Sequence, residues 1–290
     1  MQQFELKSVP QEQLVAFYGL AFATASVDGS FDREEMMSIF EIMDMEPLDQ
    51  KNKEIVRGYL MEPPQVKDCL KSLRTGSEEL KYAAVVGIVE VIYADDFFAP
   101  EEAVLLDEVC SSLGVKDDQK KAIINFVTEA KKVLNGGYDE NAARKIMESA
   151  ASGLTSVGVP IAAVYFSGSV IGLSAAGVTS GLAALGLGLG MVPGIGIAVV
   201  IGAGIFFGMK AMFGKSKAEQ ATAHRLNQER KAQLVIKNLQ EAVNAIIEKI
   251  AALAVSAQKA EENEAAIKVM QERLLKLQKV LAQRKCLVAA

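Results

Sequence analysis

Tryptophan is absent from the 290 residues, histidine occurs once, and there are only three cysteines and seven prolines. A lone histidine, His224, leaves no second imidazole for a multi-histidine metal site, and no Ser/His/Asp or Cys/His set takes shape around it. Set among Glu219, Arg225 and Glu229, it reads as a surface residue. Cys69, Cys110 and Cys286 are odd in number and far apart, which excludes a disulfide framework and fits reduced thiols in a protein facing the cytosol. So few prolines exclude a collagen-like chain, and 50% hydrophobic with 23% charged residues excludes a wholly disordered one. No basic run interleaved with aromatics appears, so nucleic acid is not an expected partner. The start, Met1-Gln2-Gln3-Phe4-Glu5, has neither the positive region nor the apolar core of a signal peptide, and the chain is expected to begin in the cytosol.

The largest absence is of charge in the middle of the chain. Over 149–209, 61 residues, there is no Asp, Glu, Lys, Arg or His. Residues 1–148 carry 16 Lys and Arg against 28 Asp and Glu, a net of −12; residues 210–290 carry 15 against 8, a net of +7. An acidic head, an apolar middle and a basic tail follow. About 20 apolar residues cross a bilayer as a helix, so the middle has length for two spans and a turn. The candidate spans are 157–176 and 193–212, with 178–192 as a turn, a re-entrant piece or a short third helix, and the whole apolar hairpin is set at 151–213. Fourteen of the 23 glycines lie in this uncharged stretch. Gly168 and Gly172, Gly177 and Gly181, Gly186, Gly190 and Gly194, and Gly204 and Gly208 recur at four-residue spacing. That places small residues on one helix face and lets backbones approach within a membrane. Arg144 and Lys145 before the stretch, and Lys210, Lys215 and Lys217 after it, put both flanks on the cytosolic side, as a two-span hairpin requires. Being rich in glycine and alanine, the hairpin also suits a soluble state in which the protein's own amphipathic helices wrap it before insertion. A phosphate-binding glycine loop fails on spacing, because the sixth position counted from Gly186 is Met191.

The head, 1–137 with a connecting helix over 138–150, contains a repeat. Asp28-Gly29-Ser30-Phe31-Asp32-Arg33-Glu34-Glu35 recurs as Asp95-Asp96-Phe97-Phe98-Ala99-Pro100-Glu101-Glu102 at an offset of 67, and Glu41 pairs with Glu108 at the same offset. An apolar stretch precedes each copy (14–27 and 82–94) and another follows (36–43 and 103–113), so both read helix, acidic turn, helix. Further helices are expected over 50–60, 66–73, 118–133 and 140–150, with turns at Pro63-Pro64, Gly76 and Gly136-Gly137. No stretch alternates apolar with polar in β-branched residues, and the expected fold class is all-α. An apolar helix ending in Ala25-Ser26-Val27-Asp28-Gly29, then Phe31, then Glu34-Glu35 opening the next helix, resembles the TerB (tellurite-resistance B) domain over roughly 11–133. The resemblance implies a compact all-helical domain with two acidic helix-turn-helix units and a bacterial stress or defence setting, often beside membranes. It also implies divalent-cation binding by the acidic pockets. The second copy departs from the pattern, with Asp96 in place of the glycine and Pro100 at the helix start.

Residue chemistry leaves two readings of the acidic turns. In one they cap helices: Asp32 accepts from the next helix with Glu35 completing a capping box, while Pro100 suits a first helical position and Glu101 and Glu102 favour its positive end. In the other, Asp28, Asp32, Glu35, Asp95, Asp96 and Glu102 offer oxygen ligands to Ca²⁺ or Mg²⁺ across two facing repeats. Neither copy is an EF-hand, since counting from Asp28 the sixth position is Arg33 and the twelfth Ile39.

The tail, 214–290, has no glycine or proline after Gly214. Ile236, Leu239, Val243, Ile246, Ile250 and Leu253 step by three and four, and Ile267, Met270, Leu274, Leu277 and Leu281 repeat the step in a shifted register. Such seams suit oligomerisation or packing against the apolar hairpin. The polar stretch 256–264 lacks a breaker, although Asn263 can cap, which favours one rod of roughly 110 Å. The surplus of lysine and arginine suits anionic headgroups. Opposite net charges further predict a closed form with the tail folded on the head and weakened by salt. Together these features point away from an enzyme and towards a bacterial membrane-associated stress or defence protein on the cytoplasmic side of the inner membrane. Its expected partners are the bilayer, other copies of itself and a protein at the acidic head. The alternative is a cytoplasmic protein that inserts the same hairpin to form a pore or disrupt the bilayer.

Overall fold

A computed structural model describes residues 9–27, 29, 31, 33–94, 98–135, 140–160, 163–164, 217–255 and 260–289. They form ten helices and no strand, as an all-α chain requires. In the head these are α1 (Gln11–Thr24), α2 (Arg33–Ile42), α3 (Gln50–Gly58), α4 (Val66–Leu73), α5 (Glu78–Ile92), α6 (Pro100–Leu113), α7 (Asp117–Asn135) and α8 (Glu140–Ser156). The tail supplies α9 (Lys217–Val255) and α10 (Ala260–Ala289).

The two repeat-related helices α1 and α5 are apolar around most of their circumference, and helices of that kind occupy a core rather than a surface. They pack on each other; α4 and α3 lie on α1, and α6 and α7 lie on α5. Local chemistry sets the ends. Ser77 Oγ accepts from Leu80 N (3.2 Å) at the start of α5, and Asp49 Oδ1 accepts from Asn52 N (2.8 Å) at the start of α3. Pro100 opens α6, which closes on Gly114 in the left-handed conformation (φ 75°). Gly19 is required by a close approach: a Cβ there would stand 2.9 Å from Pro64 Cγ.

α9 and α10 pack closely on each other and run antiparallel, with Leu281 beside Lys237 and Asn244. The single rod favoured by the unbroken sequence is therefore corrected to a helical hairpin that reverses between Val255 and Ala260. Asn263 lies within α10 rather than capping it. The physical reason is burial. Leu239, Val243 and Ile246 on α9, with Met270 and Leu277 on α10, are buried in one continuous core with the head, which a rod would leave in water. Ile250, Leu253, Leu274 and Leu281 are partly buried against that core, and Ile236 and Ile267 are half-buried. The seam residues named for oligomerisation are thus packed within one chain.

Both tail helices rest on α2. A comparison of the repeats shows how α2 is fitted to this. Met37 and Phe40 are partly and fully buried, whereas their counterparts on α6, Val104 and Asp107, are exposed. α6 buries one face; α2 buries two.

At the other end of the head, α8 stops at Ser156 and Gly158 turns the chain (φ 80°). Val159, Ala163 and Val164 are buried in the head's core, so the start of the first expected span, at 157, belongs to the head's packing. Gln119 fixes this exit. Its Nε2 donates to Tyr82 Oη (2.8 Å) and to the carbonyl of Val157 (3.0 Å), and its Oε1 accepts from Lys116 N (2.9 Å). Among the described residues no helix is long and apolar enough to cross a membrane. The glycine series from Gly168 to Gly208, and nearly all of both candidate spans, lie outside the described residues.

Candidate functional site at the head–tail junction

The first acidic turn is where the tail grips the head. Gly29 adopts a left-handed backbone (φ 83°) that leads into Phe31, whose side chain is buried with its ring 6.2 Å from that of Phe22. On α10, Arg273 and Lys276 are three residues apart and so share a face. Lys276 Nζ donates to the carbonyl of Phe31 (2.6 Å). The Arg273 guanidinium lies 5.8 Å from the centre of the Phe31 ring and donates to the carbonyl of Leu60, just beyond α3. Half-buried there, Arg273 has its pKa lowered by loss of water.

α9 holds the far end of α2. Asn238, buried among apolar neighbours, donates from Nδ2 to the carbonyl of Met43 (3.3 Å). Arg57 of α3 pairs with Glu241 of α9, and Arg57 Nε is buried without a hydrogen-bond partner. In this pair the head supplies the cation and the tail the anion, opposite to the net charges of the two parts. Apolar burial and directed polar contacts, rather than bulk charge, hold the closed form.

The site residues expected from sequence separate into two groups. Asp28, Asp32, Asp95 and Asp96 lie outside the described residues. Glu35 and Glu102, equivalent in the repeat, are both buried, at 6% and 5% exposure. Glu102 Oε2 accepts from the backbone N–H of Ala99 (2.8 Å), which is half of a capping box; the Ala99 methyl group cannot reciprocate. Capping is therefore the role the described geometry gives Glu102. Among the described residues no group of three or more His, Cys, Asp and Glu is arranged to hold a metal ion. Cys69 and Cys110 are buried thiols whose pKa is pushed up to about 12, chiefly by loss of water. The triplet Gly214-Lys215-Ser216 has the closing residues of a phosphate loop, but Met209 stands where its first glycine belongs, and the full pattern is not met.

Sequence reasoning passed over Arg57, Asn238, Glu241, Arg273 and Lys276. A signal existed for two of them: Asn238 and Arg273 are polar interruptions beside the apolar seams, at Leu239 and Leu274. No family model matches the chain, and no curated protein or solved structure matches it.

Proposed function

We propose that this chain is a non-enzymatic, membrane-associated helical protein in which head and tail form one closed body on the cytoplasmic side and the uncharged segment between them enters the bilayer as a two-span hairpin. The observation that carries the reading is the docking of α9 and α10 on α2. Val164 before the segment and Val235 on α9 after it are buried in the same core, so a segment that enters a membrane must return to the side it left. An even number of spans satisfies that condition and three do not. The lysines at 210, 215 and 217 favour the same side for the second flank.

In this reading the TerB-like head binds a protein partner or divalent cations in a bacterial stress or defence setting. Ca²⁺ or Mg²⁺ at the acidic turns is tested by thermal melting: the expected shift with added ion disappears in the Asp28→Ala, Asp95→Ala double variant, and no shift in the unaltered chain ends the cation role. The membrane role is tested by flotation of cell lysate on a density gradient, before and after alkaline carbonate. Carbonate-resistant flotation of the whole population is the expected result; a wholly soluble population overturns it.

A second reading has its own support. Val159, Ala163 and Val164 are held in the head's core, so the start of the apolar stretch is sheltered by protein. A store of soluble, closed protein that inserts on a trigger would show a soluble pool that floats once liposomes are added, and release of a trapped dye would assign it to pore formation.

A further inference from the structure

An exposed apolar patch on the second repeat and an exposed leucine on α10 sit on surfaces of opposite charge. On the second repeat Phe98 stacks on Tyr93 (5.4 Å between ring centres) yet is 43% exposed, and Val104 is 69% exposed on α6. Glu101 and Glu108, three residues before and four after Val104, are exposed on the same stripe. The first-repeat counterparts of Phe98 and Val104 are Phe31 and Met37. Both are covered, and Phe31 is held by two cations of α10. The second repeat thus keeps open the turn-and-helix surface on which the first repeat receives a basic helix. Asp107 on this face already takes a cation, Lys120 (2.7 Å). The complementary patch lies on α10 itself. Leu275 is 57% exposed between exposed Lys268 and Lys279, seven residues before and four after it on one stripe that Glu272 also shares.

We infer that the α6 face of one copy receives the outer face of α10 from a second copy, a head-to-tail contact that leaves each chain's own tail docked. The occupant follows from charge complementarity between exposed Glu101 and Glu108 on α6 and exposed Lys268 and Lys279 on α10 and from the repeat, whose other half binds this same helix. It follows also from the use of the tail's seam inside the chain, which leaves Leu275, among the described residues, as the large apolar side chain exposed on this stripe of α10. Because the two surfaces differ, the contact is heterologous, and successive copies add to a ring or an open chain.

The test is analytical ultracentrifugation of the full chain in non-ionic detergent from about 1 to about 100 μM. It compares the unaltered chain with Glu101→Lys/Glu108→Lys and with Lys268→Glu/Lys279→Glu. All four side chains are exposed; Glu101→Lys sets a cation at the positive end of α6 and should lower the melting midpoint slightly, and a single cooperative transition establishes that each variant folds. The unaltered chain is expected to associate, and each variant alone to associate at least about tenfold more weakly. An equimolar mixture of the two recovers association, because the unaltered head of one variant meets the unaltered tail of the other and the reversed head patch meets the reversed tail. A monomer throughout, variants that associate like the unaltered chain, or a mixture no better than its parts overturns the inference. The assay needs no bilayer, so its outcome is separate from that of flotation.

Discussion

Removing the charge of Glu241 is expected to loosen the tail from the head. Arg57 is 18% exposed at its side chain and Glu241 33%, so the pair is partly buried, and Arg57 Nε already lacks a partner. Glu241→Gln keeps the shape and one acceptor oxygen, which isolates the charge. Two unit charges at about 4 Å attract by about 4 kcal/mol at an effective dielectric of 20. Water still reaches part of Glu241, and Arg57 stays desolvated after the change, so the net loss is about 1–3 kcal/mol. A loss of about 2 kcal/mol is about 30-fold in an opening equilibrium. Hydrogen exchange reads it directly: amides of α9 near Asn238–Ile246 should lose protection by about that factor, while those of α1 and α5 keep theirs. Replacing both partners by methionine should recover most of the loss, because no charge is then stranded. Unchanged α9 protection in Glu241→Gln, or a double variant no better than the single one, refutes the reasoning. Salt supplies a further check. With an apolar contact and a pair whose signs oppose the net charges, raising salt from about 0.05 to about 0.5 M should alter opening by less than about threefold.

Leu277→Ala removes a fully buried side chain from the junction and should cost about 2–5 kcal/mol in chemical denaturation, whereas Leu275→Ala, 57% exposed, should cost under about 0.5 kcal/mol. Gln119→Leu strands Tyr82 Oη, the Val157 carbonyl and Lys116 N. It should cost about 1–3 kcal/mol and open 157–164 to proteolysis before the rest of the head. Cys69 and Cys110, with pKa values near 12 in the folded chain, should resist alkylation at neutral pH. Unfolded thiols ionise from about pH 8.5 while the folded ones hold their protons, so stability is full below that pH and falls as pH rises towards 12. A Cys69→Ala/Cys110→Ala variant should flatten the fall in urea midpoint between about pH 8 and about pH 10.

Much of the head was legible because its helices carry their own punctuation. Pro63-Pro64 and Gly76 mark ends that backbone sterics enforce, and the 67-residue repeat announced two matching helix pairs, whereas the caps at Ser77 and Gly114 came from the structure. The tail was less legible for a reason of length scale. Nothing near 256–264 breaks a helix, and the reversal there is rewarded by packing of α9 on α10 and by contacts with α2, some 200 residues away in sequence. Charge totals predicted the closed form but not its basis: at the junction the deciding residues are an inverted pair, Arg57 and Glu241, and a buried Asn238. The acidic turns read as caps first and as ligands second, since a carboxylate suits a helix N-terminus and a cation alike. For Glu102 the structure shows the capping bond to Ala99 N.

The central claim, that head and tail remain together on one side of a bilayer entered by the segment between them, is tested most directly by protease protection in sealed membrane vesicles of both orientations, with one epitope in α7 and another at the C-terminal end. The account predicts that the two epitopes are cleaved in the same orientation and protected in the other, and that a fragment spanning 165–216 survives in both. Epitopes cleaved in opposite orientations, or no surviving fragment in either, would contradict it.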